Sequence, residues 1–228
     1  MLYKHPRYRI MGDVAILVEV GDTIHITVNQ KVRRLFMAVK ERLPDLLLDA
    51  VPAYCSLLLI FDPLKTSATG LQKTIDGLFR DLDDFDIPDP ATFEIPVVYG
   101  EEYGPDLDWV SRYHNISVEE AIRLHTEITY HVFMIGFSPG FPYLGELPEA
   151  LETPRKETPR TTVPKGSVGL ALKQTGIYPS PSPGGWQIIG RTPLSLFDPL
   201  KNPPSLLQMG DRVRFFQISE EEMNHWQR

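Results

Sequence analysis

The sequence predicts an α+β N-terminal domain followed by a mainly-β barrel domain, and three observations carry that prediction. Across the first 82 residues, apolar runs and amphipathic stretches follow in the order strand–helix–strand–strand–helix. That is the order of a sheet with helices on one face. Residues 81–90, DLDDFDIPDP, hold five aspartates and two prolines. They are too polar to bury and too rich in breakers for regular structure, so they mark a boundary. Beyond it, thirteen of the 21 prolines lie between Pro139 and Pro204, and nine of the 16 glycines between Gly136 and Gly190. Helix interiors exclude that density and central strands resist it, which leaves short strands joined by rigid turns, as in a barrel with built loops. The predicted domains are residues 1–88 and 89–228.

The elements follow in order. Residues 7–11 and 14–20 are apolar-rich runs separated by Gly12-Asp13, a hairpin signal. From 29 to 43, Val32, Leu35, Phe36, Val39 and Leu43 recur at helical spacing, with Asn29 as the expected cap and Pro44 as the stop. Strands are expected at 46–52 and 55–61, and a second amphipathic helix at 66–82 with Leu71, Ile75, Leu78 and Phe79 on one face. Past the aspartate run, 91–98 reads as a strand and 105–113 as a short helix. Residues 117–127 read as another helix, opened by Ser117 with Glu120 three positions on, a capping box. The clearest later strands are GSVGLAL (166–172), WQIIG (186–190) and GDRVRFFQI (210–218).

Composition excludes several function classes. With 42% hydrophobic and 23% charged residues, the chain is an ordinary globular protein with material for a real core. Its longest apolar run, 131–137, is strand-sized, and the first ten residues lack a signal-peptide stretch, so a cytoplasmic location is expected. Cys55, the one cysteine, permits no internal disulfide and reads as a small core residue. The net charge of −7 argues against nucleic acid or a membrane surface as partner. The charge is unevenly spread: residues 151–214 carry +5 and the remainder −12. A basic stretch inside an acidic protein is where a small anionic ligand is sought.

Three segments carry the chemistry. IGFSPGFPYLG (135–145) is a loop fixed by prolines whose glycines let backbone N–H groups approach a ligand; its aromatics, Phe137, Phe141 and Tyr143, also suit plain packing. PRKETPRTTVPKGSVG (154–169) places Arg155 and Arg160 after prolines and Lys165 after a third, which suits cations held ready for a carboxylate and equally suits exposed arginines on a loop. SPSPGGWQIIGRTP (180–193) offers the unhindered pair Gly184-Gly185, the flat wall of Trp186, the donor and acceptor of Gln187, which match an amide or lactam group, and Arg191 at the strand end. No GxxxxGK[ST] phosphate loop, HExxH, Cys/His zinc spacing or GxSxG elbow is present, and no metal is predicted. His125 and His131 are the candidate bases, weighed against packing or capping.

Taken together, MGDVAILVEV (11–20), VPAYCSLLLIFDP (51–63), GPDLDWV (104–110), LHTEITYHVFMIGFSPGFPYLG (124–145), PRKETPRTTVPKGSVGLAL (154–172) and QTGIYPSPSPGGWQIIGRTPLSLFDP (174–199) resemble the KipI/PxpB family, also known as allophanate hydrolase subunit 1. The resemblance implies a cyclophilin-like barrel for the second domain, with no implication of prolyl isomerase activity. It implies membership of an ATP-dependent 5-oxoprolinase that opens 5-oxo-L-proline to L-glutamate, with ATP as a substrate of the complex. The implied partners are a PxpC-type cyclophilin-like subunit and a PxpA-type subunit. In such a site Arg155 or Arg160 would hold the substrate carboxylate, Gln187 with N–H groups near Gly184 would read the lactam, and Arg191 or Lys165 would steady phosphate charge. The same resemblance leaves two alternatives open: a KipI-like inhibitor of a sensor histidine kinase, and a urea or allophanate pathway component.

Overall fold

The computed structural model describes residues 1–226. Backbone contacts divide the chain into two compact units, Met1–Asp89 and the residues from Pro90 onward.

The first unit is a four-stranded antiparallel sheet in the order β1-β2-β4-β3, made of β1 (Leu2–Ile10), β2 (Ala15–Gly21), β3 (Leu47–Pro52) and β4 (Ser56–Phe61). Alternation in β2 and β4 sends Ile16, Val18, Leu57 and Leu59 into the core. Helices α1 (Ile26–Arg42) and α2 (Ala68–Arg80) supply Val28, Val32, Leu35 and Val39, and Leu71, Ile75 and Phe79. Strand β1 begins well before the apolar pattern indicates, at Leu2. Pro6 sits within it at the sheet edge, where a missing N–H costs no ladder bond.

Helix α1 starts before Asn29. His25 is its cap, accepting the Thr27 N–H at Nδ1, 3.2 Å. Asn29 is instead buried in the first turn and donates from Nδ2 to the carbonyls of Ala53 (3.4 Å) and Tyr54 (3.0 Å), tying the helix to the β3–β4 turn. The aspartate run is less bare than its composition implies. A 3-10 turn at Leu82–Asp84 buries Leu82 and Phe85, and Asp83 pairs with Lys31 (3.2 Å) and Arg34 (3.8 Å) of α1. Asp81, Asp83 and Asp84 stay exposed, and residues 86–91 hold no buried residue. A broad-specificity protease in limited proteolysis is therefore expected to cut first within residues 86–91 and leave a stable fragment beginning near residue 90. Preferred cutting within 154–169 would count against two separately folding domains.

The second unit is a closed seven-stranded barrel in the order β10-β7-β6-β13-β5-β12-β9. Its strands are β5 (Thr92–Tyr99), β6 (Thr129–Ile135), β7 (Pro142–Gly145), β9 (Ser167–Ala171), β10 (Gln174–Ile177), β12 (Gln187–Arg191) and β13 (Arg212–Gln217). Inward positions spaced by two fill the barrel: Ile95, Val97 and Tyr99; Tyr130 and Val132; Val168 and Leu170; Val213 and Phe215. All neighbouring strands run antiparallel except β5 and β13, the first and last, which pair in parallel from Thr92↔Arg212 to Val97↔Gln217. Helices α3 (Leu107–His114) and α4 (Val118–Thr126) add Leu107, Val110 and Ala121 to the same core. Ser117 caps α4 by accepting the Glu120 N–H at 3.1 Å. Only that half of the capping box forms, because the Glu120 carboxylate pairs with Arg123. The short strands β8 (Arg160–Val163) and β11 (Ser182–Gly184) form a separate two-stranded flap, and α5 (Glu220–Trp226) packs Met223 beside Val98, Tyr103 and Ile218.

Candidate functional site

The flap lies over an aromatic cluster distinct from the barrel interior: Phe141, Val163, Ala171, Tyr178, Trp186 and Ile188. Val168 and Leu170 of β9 point inward, so the alternating neighbour Ala171 faces this outer cluster. Here a cavity of about 110 Å³ opens, lined by Phe137, Phe141, Tyr143, Arg155, Tyr178, Pro183, Gly184, Gly185 and Trp186. All three segments singled out in the sequence contribute to its wall. Phe141 stands edge-on to Tyr178 (5.1 Å between centroids) and Trp186 (5.5 Å), so the rings form a corner rather than a stack. Gly184 is required at its place, since an added Cβ would collide with the Tyr178 hydroxyl.

The polar groups of the cavity are few. Arg155 is exposed and forms no hydrogen bond or ion pair among the described residues, in contrast to its neighbours in the loop. Burial pushes the Tyr178 phenol up to about 12, against the pull of the Trp186 backbone and Arg155. Burial raises Tyr143 as well, with Arg155 again opposing. Both phenols are thus held as O–H donors at neutral pH.

The remaining predicted residues serve elsewhere. Arg160 donates from Nη2 to Asp106 Oδ1 at 2.7 Å and leans toward the Trp186 carbonyl at 3.5 Å. Lys156 reaches the same Asp106 oxygen at 3.1 Å, and Asp106 Oδ2 accepts the Ile188 N–H at 2.6 Å. Burial alone would raise the Asp106 carboxyl, but these three donors together hold it below the usual carboxylate range. Gln187 is buried, and its Nε2 donates to the Pro154 carbonyl at 3.1 Å, so its amide braces the loop instead of facing the cavity. Lys165 bonds the Ser195 hydroxyl at 3.0 Å, and the Arg191 guanidinium lies 5.3 Å from the centre of the Tyr103 ring. Neither lines the cavity.

The two candidate bases are also outside it. His125 is fully buried, with Nδ1 2.8 Å from the Tyr99 hydroxyl and Nε2 3.0 Å from Thr175 Oγ1, and its ring stacks on Phe215 at 4.5 Å. Burial drives its pKa down to about 3, so it is a neutral core imidazole with both nitrogens engaged, an arrangement that suits packing. His131 sits on β6 opposite Gly145 and Arg212, its ring edge-on to Phe133 at 4.9 Å.

Sequence reasoning missed Tyr178 and Asp106. Tyr178 has a faint local signal, the Tyr-Pro-Ser-Pro run that rigidifies its approach to Gly184. Asp106 lies in GPDLDWV (104–110), one of the runs that carry the family resemblance, but nothing local gives its role, because its partners lie 50, 54 and 82 residues away. Among the described residues no group of three or more His, Cys, Asp or Glu is placed to hold a metal, and no helix is long and apolar enough to cross a membrane.

Comparison with known proteins adds lineage to this geometry. Residues 6–207 match the family described as carboxyltransferase domain, subdomain C and D. The chain is 40% identical to the B subunit of 5-oxoprolinase from Bacillus subtilis over 229 aligned positions, covering 95% of each protein. It is 39% identical to the protein of the same name from Escherichia coli, covering 93% of this chain and 96% of that one. Among solved structures, TTHA0988 superposes with a TM-score of 0.80 at 38% identity over 90% of this chain. The match spans 40% of the TTHA0988 chain, so that protein continues well beyond the part shared here.

Proposed function

The chain belongs to the carboxyltransferase subdomain C and D family, among the B subunits of 5-oxoprolinase, and from that premise we propose that it binds the lactam in an ATP-dependent 5-oxoprolinase. The partners would be subunits of the PxpC and PxpA types, the barrel cyclophilin-like, and the two compact units separate domains. The observation that carries the reading is the cavity: ring-sized, walled by aromatic faces, with at its edge an arginine that has no ion pair among the described residues. A five-membered lactam bearing a carboxylate combines those two requirements. Phe141 and Trp186 would cover the ring and exclude water, and Arg155 would clasp the carboxylate with two parallel hydrogen bonds. Tyr143 or Tyr178 would donate to the lactam oxygen, where negative charge grows as the amide opens. Arg160 and Gln187, both engaged in holding the wall, would act only through it.

The cavity does not fit ATP. At about 110 Å³ it falls well short of the 300–1,000 Å³ typical of sites for larger ligands, and the sequence has no phosphate loop. The nucleotide would therefore sit outside this cavity.

Co-expression with PxpC- and PxpA-type subunits, followed by coupled ADP release with and without 5-oxoproline, tests the reading. The assembled set is expected to turn over only with 5-oxoproline, and the purified chain alone to show no lactam-dependent ATP hydrolysis. Turnover by the isolated chain would remove the need for partners. An inactive but fully assembled set would return attention to the kinase-inhibitor alternative.

A further inference from the structure

The loop bearing Arg155 is fastened to the segment it faces at several points, and one carboxylate from outside both ties two of the loop's cations to it. Gln187 Nε2 holds the Pro154 carbonyl, and the Lys156 N–H donates to the Gly185 carbonyl at 2.8 Å. Asp106, its side chain 6% exposed, joins the Ile188 N–H on one oxygen to Arg160 and Lys156 on the other. Arg155 stands between Pro154 and Lys156, so both flanking residues are pinned while its own side chain is not. Loop cations left without this carboxylate would repel one another and take up the mobile, hydrated positions that lysine and arginine prefer.

We propose that Asp106 is a positioning residue: it latches the 154–160 loop against the Gly184–Ile188 segment that joins β11 to β12 so that Arg155 stays in the cavity wall. The functional consequence rests on the cavity being the ligand site; the latch itself does not. Aspartate suits the task because its short side chain, rising from the start of α3, reaches a backbone N–H and two cations together. Asparagine would keep an acceptor for the Ile188 N–H and the same volume while removing the charge that gathers Arg160 and Lys156. Asp106→Asn therefore separates the latch from the fold.

The test has two arms. In the full chain, Asp106→Asn is expected to speed tryptic cleavage after Arg155, Lys156 and Arg160 by about tenfold or more, because loss of a charge-assisted anchor raises the open population of the loop by that order. Arg160→Gln should reproduce the acceleration from the other side of the latch. Unchanged cleavage in both variants overturns the proposal. In the assembled enzyme, Asp106→Asn and Arg155→Ala should each raise KM for the lactam far more than they lower kcat, and the double variant should be no worse than Arg155→Ala alone. Losses that multiply in the double variant would show Asp106 acting independently of Arg155 and overturn its positioning role. Normal kinetics in Arg155→Ala together with faster loop cleavage in Asp106→Asn would uphold the latch and remove the cavity as the ligand site.

Discussion

Replacing Arg155 by alanine is expected to cut kcat/KM of the assembled 5-oxoprolinase roughly ten- to a hundredfold, the kinetic equivalent of a lost charge-assisted hydrogen bond of about 1.5–3 kcal/mol. The melting temperature should hold, because Arg155 is exposed and has no hydrogen bond or ion pair among the described residues to lose. Arg160→Ala should behave differently. Its guanidinium is bound to Asp106, so its removal is expected to lower the melting temperature as well as activity. Measuring kcat/KM beside thermal denaturation for both variants separates the arginine that meets the ligand from the one that braces the wall. Equal kinetics in Arg155→Ala and wild type would take the carboxylate clasp out of the account.

The second large effect belongs to His125 and concerns stability. Replacing it by leucine leaves the buried Tyr99 hydroxyl without its partner and removes a bond to Thr175. The expected cost is roughly 2–5 kcal/mol, or a fall in melting temperature of about 5–15 °C. Its pH dependence has a definite sign. The folded imidazole titrates near 3, whereas the unfolded one titrates near 6.5. The unfolded state therefore binds the extra proton, so the contribution is complete above pH 6.5 and is lost as pH falls toward 3. By about pH 5 the loss should reach about 2 kcal/mol. Denaturant titrations between about pH 7 and about pH 5 should show wild type weakening more steeply than the leucine variant by that amount. Parallel curves would mean that His125 is not buried as a neutral ring.

What could be read from the sequence was what local physics decides. Val32, Leu35 and Val39 announce α1, and the alternation of Val213 and Phe215 announces β13, because helix and strand periods are written into neighbouring residues. The three segments that meet in the cavity were also legible, since glycine and proline at such density have few other uses. Which side chains face the ligand was not. Arg155 and Arg160 follow identical Pro-Arg steps, and only the distant Asp106 decides that one is engaged and the other left open. Asn29 looked like a cap because the carbonyls it serves, at Ala53 and Tyr54, lie far along the chain. His125 looked like a base for the same reason: the burial that silences it comes from strands before and after it in sequence.

The parallel pairing of β5 with β13 has a consequence for how the protein is made. Thr92 lies beside Arg212, its neighbour 120 residues later, so the barrel cannot close until residues 212–217 have left the ribosome. At about 5–20 residues per second, β5 waits roughly 6–24 s for its partner. During that interval Ile95 and Val97, which end fully buried, are without the strand that covers one side of them. The first unit, with all four strands and both helices encoded before residue 81, has no such wait. Synthesis is thus a sequence of one early closure and one late one. A nascent chain stalled anywhere between residues 100 and 210 would present an open sheet edge to whatever chaperone, or neighbouring chain, reaches it first.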